Sequence, residues 1–255
     1  MKNTNRPIIG IVGKLLLNEQ LRKTLWKRVV VNNEIKQLIA ENGGIAIGIF
    51  PYEYKDNLDT SNKLEILSDY EKEYLYEQLK LVDGIILQGG LTSDTYEVEI
   101  VKYAIKNNIP IIGICAGFNN IARALNINLK YKPFFDSIHN VYDADYRHIV
   151  DINQKHTYYE LINQEKINVN SLHSMFFEKC DDTNNIEILA TSKDKLDDND
   201  TIEHIEAFTV NNTKFCMAIK WHPELMKEDD FTIKMFKQFV EICKNNSEEN
   251  NEIHN

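Results

Sequence analysis

Cys115 sits in Gly113-Ile-Cys115-Ala-Gly117, at the point where a continuous apolar run gives way to a helical pattern. A thiol on such a strand-to-helix turn is held in a strained conformation at a sheet's carboxyl edge, and the small residues around it let the backbone bend and a substrate approach. The helix that follows offers the positive end of its dipole and its unpaired N–H groups, both of which favour a thiolate. A thiolate nucleophile also needs an imidazole to take its proton and a carboxylate to fix that imidazole's tautomer. Trp221-His222-Pro-Glu224 supplies both residue types. If that segment is extended, the two-residue spacing puts His222 and Glu224 on one face, with Pro223 stiffening the arrangement. A tetrahedral intermediate would further require N–H donors. The backbone N–H of Ala116 and one N–H of the Gly89-Gly90 turn are the natural sources.

These residues have to be positioned by a sheet. Ile8 to Val12 reads as a buried strand, Asn32 to Asn42 as a helix stopped by Gly43-Gly44, and Ile45 to Phe50 as the next strand. Glu71 to Leu81 is helical, Gly84 to Gly90 a strand ending in glycines, Val98 to Asn107 a helix and Ile109 to Cys115 an apolar strand. Continuous apolar strands alternating with helices predict an α/β fold with a mostly parallel central sheet covered by helices on both faces. The second half is less regular. Asn128 to Glu165 is ambiguous, Asn168 to Asn170 and Ile186 to Ala190 read as short strands, and Ile202 to Val210 pairs with Lys214 to Lys220 around Asn211-Asn212, which predicts a partly antiparallel C-terminal extension. Phe231 to Cys243 reads as a last helix with Ile233, Phe236, Phe239 and Val240 on one side. The expectation is one domain over 1–244, with 245–255 a polar, frayed tail.

Composition narrows the function classes. The 255 residues carry 29 Lys+Arg against 39 Asp+Glu, a net charge of −10. That balance argues against a nucleic-acid partner, whose binding rests on clustered positive charge. The apolar run before Lys14 is too short for a secretory or membrane segment, so a cytoplasmic protein without membrane contact is expected. Cys115, Cys180, Cys216 and Cys243 form no C-x-x-C pair, and neither a metal nor an organic cofactor is expected. Glu203 and Glu206 read as facing solvent or neighbouring strands, His148 as packing or surface, and the acidic run Asp194 to Asp200 as a solvated loop.

Taken together, Gly113-Ile-Cys-Ala-Gly117, Val169-Asn-Ser-Leu-His173, Ile202-Glu-His-Ile-Glu206 and Ile219-Lys-Trp-His-Pro-Glu224 resemble the class I glutamine amidotransferase superfamily, and within it the γ-glutamyl-γ-aminobutyrate hydrolase-like branch. The resemblance runs in order from about Pro7 to Glu224. It implies a flavodoxin-like amidotransferase fold in which Cys115 attacks a γ-glutamyl amide, His222 moves the proton, Glu224 orients His222, and a glutamyl thioester is hydrolysed by water. It also implies an oxyanion hole on Gly90 and Ala116 and substrate contacts from Gly89, Asn119 and His173. The chain departs from the pattern in having Ala116 where an arginine often stands, Asn119 for a common glutamine, and His173-Ser174 for paired histidines. The leading expectation is therefore a stand-alone hydrolase of a small γ-glutamyl-type amide, with a homodimer possible. The alternatives are a glutaminase subunit delivering ammonia to a synthase partner, and an inactive binding or regulatory protein on the same fold.

Overall fold

The computed structural model describes residues 6–15, 28–53, 66–90, 95–131, 139, 146–178, 185–195 and 201–253. Five parallel strands form one half of the main sheet: β1 (Ile8–Val12), β4 (Ile45–Ile49), β5 (Gly84–Leu87), β6 (Ile111–Ile114) and β13 (Cys216–Ile219). Their order continues into antiparallel strands as β4-β1-β5-β6-β13-β12-β11-β8-β9, where β8 is Arg147–Ile152, β9 Lys166–Asn170, β11 Ile186–Lys195 and β12 Thr201–Val210. Two short strands, β7 (Lys130–Tyr131) and β10 (Met175–Glu178), join through β12, and β2 (Lys14–Leu15) pairs separately with β3 (Val29–Val30). The α/β architecture with a mixed antiparallel extension is the one the residue pattern predicts.

The strand alternation builds two cores. Ile9, Ile11, Ile86, Ile112, Ile114, Met217 and Ile219 face one side, against α1 (Asn33–Glu41) and α6 (Asp230–Ile253). Val12, Ile85, Leu87, Ile111, Cys216 and Ala218 face the other, against α2 (Asp69–Leu79), α3 (Thr95–Lys106) and α4 (Ala116–Ala124). Among the described residues the remaining α-helix, α5, is the single turn Tyr159–Ile162. Local capping sets the helix starts: the Asn32 side chain accepts from the backbone N–H groups of Glu34 and Ile35, and Ser68 forms a reciprocal capping box with Glu71. Gly43, at φ +91°, takes the left-handed turn that ends α1.

The structure corrects several expectations. The last helix runs to Ile253 rather than ending at Cys243, because buried Asn246 ties it down. Its side-chain N–H donates to the Asp83 carbonyl at 3.4 Å and its oxygen accepts from Lys214 Nζ at 2.8 Å. Ile233 is exposed, and the buried stripe passes through Met235, Phe236, Phe239, Val240 and Cys243 instead. Strand β11 continues to Lys195, so Asp194 belongs to a strand and not to a solvated loop. Residues 132–138, which include Phe134-Phe135, and Cys180 lie outside the described residues. Among the described residues no helix is long and apolar enough to cross a membrane.

Candidate active site

Cys115 follows β6 with φ +52° and ψ −97°, a conformation that costs a non-glycine residue about 1–3 kcal/mol. The surroundings hold it there. Its N–H donates to the Ile219 carbonyl at 2.8 Å, and its own carbonyl accepts from the Asn119 N–H at 3.2 Å. The two flanking glycines permit the close approach that makes the bend. A Cβ on Gly113 would lie 2.6 Å from the Gly117 backbone, and one on Gly117 only 2.4 Å from the Leu87 carbonyl oxygen. Helix α4 therefore presses onto β5 and β6 at a distance that no side chain allows, and its free N-terminal N–H groups, Ala116 among them, begin at the sulfur.

The imidazole arrives from the neighbouring strand. Ile219 of β13 pairs in parallel with Ile114 of β6, so the chain leaves both strands side by side, with Cys115 after one and Lys220-Trp221-His222 after the other. His222 Nδ1 lies 2.8 Å from Glu224 Oε1. The segment is not the extended run the spacing suggested: Pro223–Leu225 forms a 3-10 turn that swings the buried Glu224 carboxylate back onto the ring. Asn170 at the end of β9 clamps His222 from both sides, its side-chain oxygen accepting the His222 N–H and its N–H donating to the His222 carbonyl, each at 2.8 Å. Gly89 leaves room for the ring, since a Cβ there would come within 2.4 Å of His222 Cε1. Gly89→Ala is accordingly expected to displace the imidazole and lower kcat by about 100-fold, with a melting temperature near that of wild type as the check on folding.

Electrostatics favour an ionised sulfur. Burial pushes the Cys115 thiol up, but the adjacent His222, which also hydrogen-bonds it, and the Lys220 cation outweigh that and leave it below the ordinary thiol range. Burial likewise works against the His222 cation, yet the Cys115 sulfur and Glu224 together hold its pKa well above the usual value. With Nδ1 on Glu224, Nε2 is the nitrogen left for sulfur. The other described cysteines are the opposite case: burial raises Cys216 to about 12 and Cys243 well above an ordinary thiol.

Lys220 is one residue that sequence reasoning passed over. It is fully buried, its Nζ donates to Asn119 Oδ1 at 2.6 Å and lies 4.8 Å from the centre of the Phe118 ring. Burial lowers its pKa to about 8, against the raising pull of Cys115 and Glu206. The signal was present in the strand period: Cys216 and Ala218 face α4, and continuing the alternation puts a lysine on that apolar side. In the folded chain Lys220 loses its proton near pH 8, whereas in the unfolded chain it does so near 10.5. Between those values the unfolded state binds more protons, so this group makes stability rise with pH. Lys220→Met is expected to lack that rise in urea midpoints compared at about pH 7 and 10, and its acid limb of kcat/KM moves to higher pH because the thiolate loses a cation.

The remaining predicted residues fall in different places. Gly89 meets the His222 ring, whereas Gly90 is exposed and borders Lys14, which forms a buried ion pair with Glu97 at 2.6 Å. Gln88 anchors this turn, accepting from the Asn32 N–H and donating to the carbonyls of Val12 and Val30. Asn119 stands against Lys220. His173 is buried among other histidines, and its neighbour Leu172 supplies the carbonyl that faces Cys115 Sγ at 3.7 Å. Glu206, expected at a solvent-facing or strand-facing position, is wholly buried beside His204 and His148.

Residues 91–224 match the family Peptidase C26. The chain belongs to that family. Among curated proteins, this C26 chain is similar to a glutamine amidotransferase-like protein of Rickettsia prowazekii (strain Madrid E), 20% identical across 75% of this chain and 88% of that one. It is also similar to the CTP synthase of Borreliella afzelii (strain PKo), 26% identical across 65% of this chain, and it spans about a third (36%) of that enzyme's length. Two solved structures share the fold. One, a GMP synthase subunit-type protein from Thermoplasma acidophilum, superposes with a TM-score of 0.61 at 16% identity, covering 96% of this chain and 98% of its own. The glutaminase domain of Trypanosoma brucei CTPS with bound acivicin gives 0.60 at 17% identity, covering 92% and 93%. The sheet described above is thus that of the class I glutamine amidotransferase domains.

Proposed function

We propose that this C26 protein is a cysteine-dependent hydrolase of a small γ-glutamyl-type amide, as in the γ-glutamyl-γ-aminobutyrate hydrolase-like branch. The observation that carries the reading is the continuous line from Cys115, in its strained turn, through the His222 ring to Glu224 Oε1 at 2.8 Å. Cys115 Sγ attacks the amide carbon and His222 Nε2 holds the proton that left the sulfur. The tetrahedral oxyanion is received by N–H groups at the start of α4, beginning with Ala116, and from the Gly89-Gly90 turn. As the C–N bond breaks, His222 returns that proton to the departing nitrogen, leaving an acyl thioester on Cys115. Water then attacks the thioester, His222 takes its proton and passes it to the sulfur as the C–S bond breaks, and carboxylic acid and free thiol result. Glu224 keeps Nδ1 protonated throughout. In place of an arginine and a glutamine, the chain presents Ala116 and the Lys220-bound Asn119, so among the described residues Lys220 is a cation whose field reaches the sulfur and a substrate carboxylate beside it.

The decisive measurement is mass spectrometry of chain quenched in acid during turnover of a panel of γ-glutamyl amides. A substrate acyl group on the peptide containing Cys115 supports the reading. Turnover without any such adduct, and undiminished by alkylation of Cys115, overturns it. A second reading, a glutaminase subunit that hands ammonia to a synthase, is favoured by the likeness to the CTP synthase of B. afzelii and the T. brucei glutaminase domain. Glutamine hydrolysis by the isolated chain, with and without cell extract, separates the two: activity that appears only with extract rejects the stand-alone hydrolase.

A further inference from the structure

The antiparallel half of the sheet holds a second cluster of chemistry-bearing side chains that the proposed reaction does not use. His139, His148, His173 and His204 converge there, with the His139 ring centroid 4.7, 4.8 and 5.1 Å from those of His148, His173 and His204. Glu206 stands among them, its Oε1 2.8 Å from His204 Nε2, 3.3 Å from His148 Nε2 and 3.6 Å from His173 Nε2. Asp194 Oδ2 lies 2.9 Å from His139 Nε2 and 3.3 Å from His204 Nδ1. His139, His173, His204 and Glu206 are all at least 95% buried. A buried carboxylate and several buried imidazoles are costly together unless every polar atom is satisfied. Among the described residues they are not: Glu206 Oε2 and both ring nitrogens of His173 are buried with no hydrogen-bond partner.

We propose that this cluster binds a divalent transition metal, zinc by its ligand chemistry, through His139, His204 and Glu206 with His173 as the fourth ligand. One ligand atom from each of His139, His204 and Glu206 already lies within 4.8 Å of the others. Small side-chain rotations would bring them to the roughly 3.3 Å edges of a tetrahedron with bonds near 2.0–2.1 Å. Imidazole with one carboxylate suits zinc and its first-row neighbours, not magnesium or calcium, which prefer oxygen throughout. Asp194 Oδ2 holds Nε2 of His139 and Nδ1 of His204, so the metal would be met by His139 Nδ1, which lies 2.8 Å from Ser171 Oγ, and by His204 Nε2, which lies 2.7 Å from Ser192 Oγ, displacing both hydroxyls, with Asp194 as the carboxylate that orients both rings from behind. Glu206 and Asp194 together offset the two positive charges if the imidazoles are neutral. The ligands come from the segment at 139, the turn after β9, and β12, so the metal would staple three separate stretches of chain.

The test uses wild-type protein and Cys115→Ser, both purified without a metal-affinity step. About one zinc per chain is expected in each. After chelator treatment, added Co2+ should give the visible d–d bands of a tetrahedral nitrogen and oxygen site without a thiolate charge-transfer band, equally in both proteins. Asp194→Asn should weaken the metal about 10–100-fold, and His204→Asn should abolish the Co2+ bands. A chain that holds no zinc and shows no Co2+ bands overturns the proposal. So does a metal that carries the thiolate band and disappears with Cys115→Ser, because that metal sits on the nucleophile. The comparison of wild type with Cys115→Ser decides the matter even if a cluster variant fails to fold.

Discussion

Replacing Cys115 with serine or alanine is expected to lower kcat for amide hydrolysis by about 10⁴-fold or more while leaving the melting temperature almost unchanged. The size of the loss follows from what the sulfur does in the proposed scheme. It forms the covalent intermediate, and removal of one member of such a unit costs nearly as much as removal of the whole. The small change in stability follows from the local structure. The backbone of residue 115 is fixed by its N–H on Ile219 and its carbonyl on Asn119, neither of which involves the side chain. Cys115→Ala also removes an ionised group from a buried position. Steady-state kinetics beside a thermal melt check both halves, and retained turnover in a clean preparation would end the assignment.

Glu224→Gln is expected to have the next largest effect, a fall in kcat of about 10²–10⁴-fold with KM little altered. The carboxylate sits 2.8 Å from His222 Nδ1, and it is one of the influences that raise the His222 pKa. An amide of the same shape keeps the ring in place but offers no charge to the imidazolium, and can turn its NH2 towards the ring and select the wrong tautomer. Glu224 is buried and its Oε2 has no hydrogen-bond partner among the described residues, so an NH2 placed there would be unsatisfied and cost about 1–3 kcal/mol of stability. Glu224→Asp, which restores the charge at a longer reach, should recover part of kcat. A fall in KM-dependent binding alone, with kcat intact, would show that the carboxylate is not part of the proton path.

The parallel half of the fold was legible because its strands are buried on both faces and therefore read as unbroken apolar runs: Ile8 to Val12, Gly84 to Leu87 and Ile111 to Ile114 each carry that signature. The Cys115, His222 and Glu224 constellation was legible for a related reason, since Cys115 directly follows such a strand and His222 comes shortly after another, beyond Lys220 and Trp221. The antiparallel half was obscured by its own polar interior. β8, Arg-His-Ile-Val-Asp-Ile, interrupts its apolar residues with His148, and β11 runs on through Thr191-Ser-Lys-Asp-Lys195 because Ser192 and Asp194 bond buried histidines instead of water. A periodicity test counts such residues as solvent-facing. Asn170 escaped for a different reason: its task is to hold the backbone of His222, a residue 52 positions away, and spacing along the chain carries no trace of that.

The adjacency of β6 and β13 has a wider consequence. Because the sulfur and the imidazole leave the ends of hydrogen-bonded neighbours, and Asn170 at the end of another strand of the same sheet fixes the His222 backbone, their separation inherits the rigidity of the sheet. Selectivity can then be rewritten at the rim, by exchange or lengthening of surface segments, without retuning the reactive pair. One frame could in this way serve many amides, each distinguished by its border and all sharing an unaltered centre.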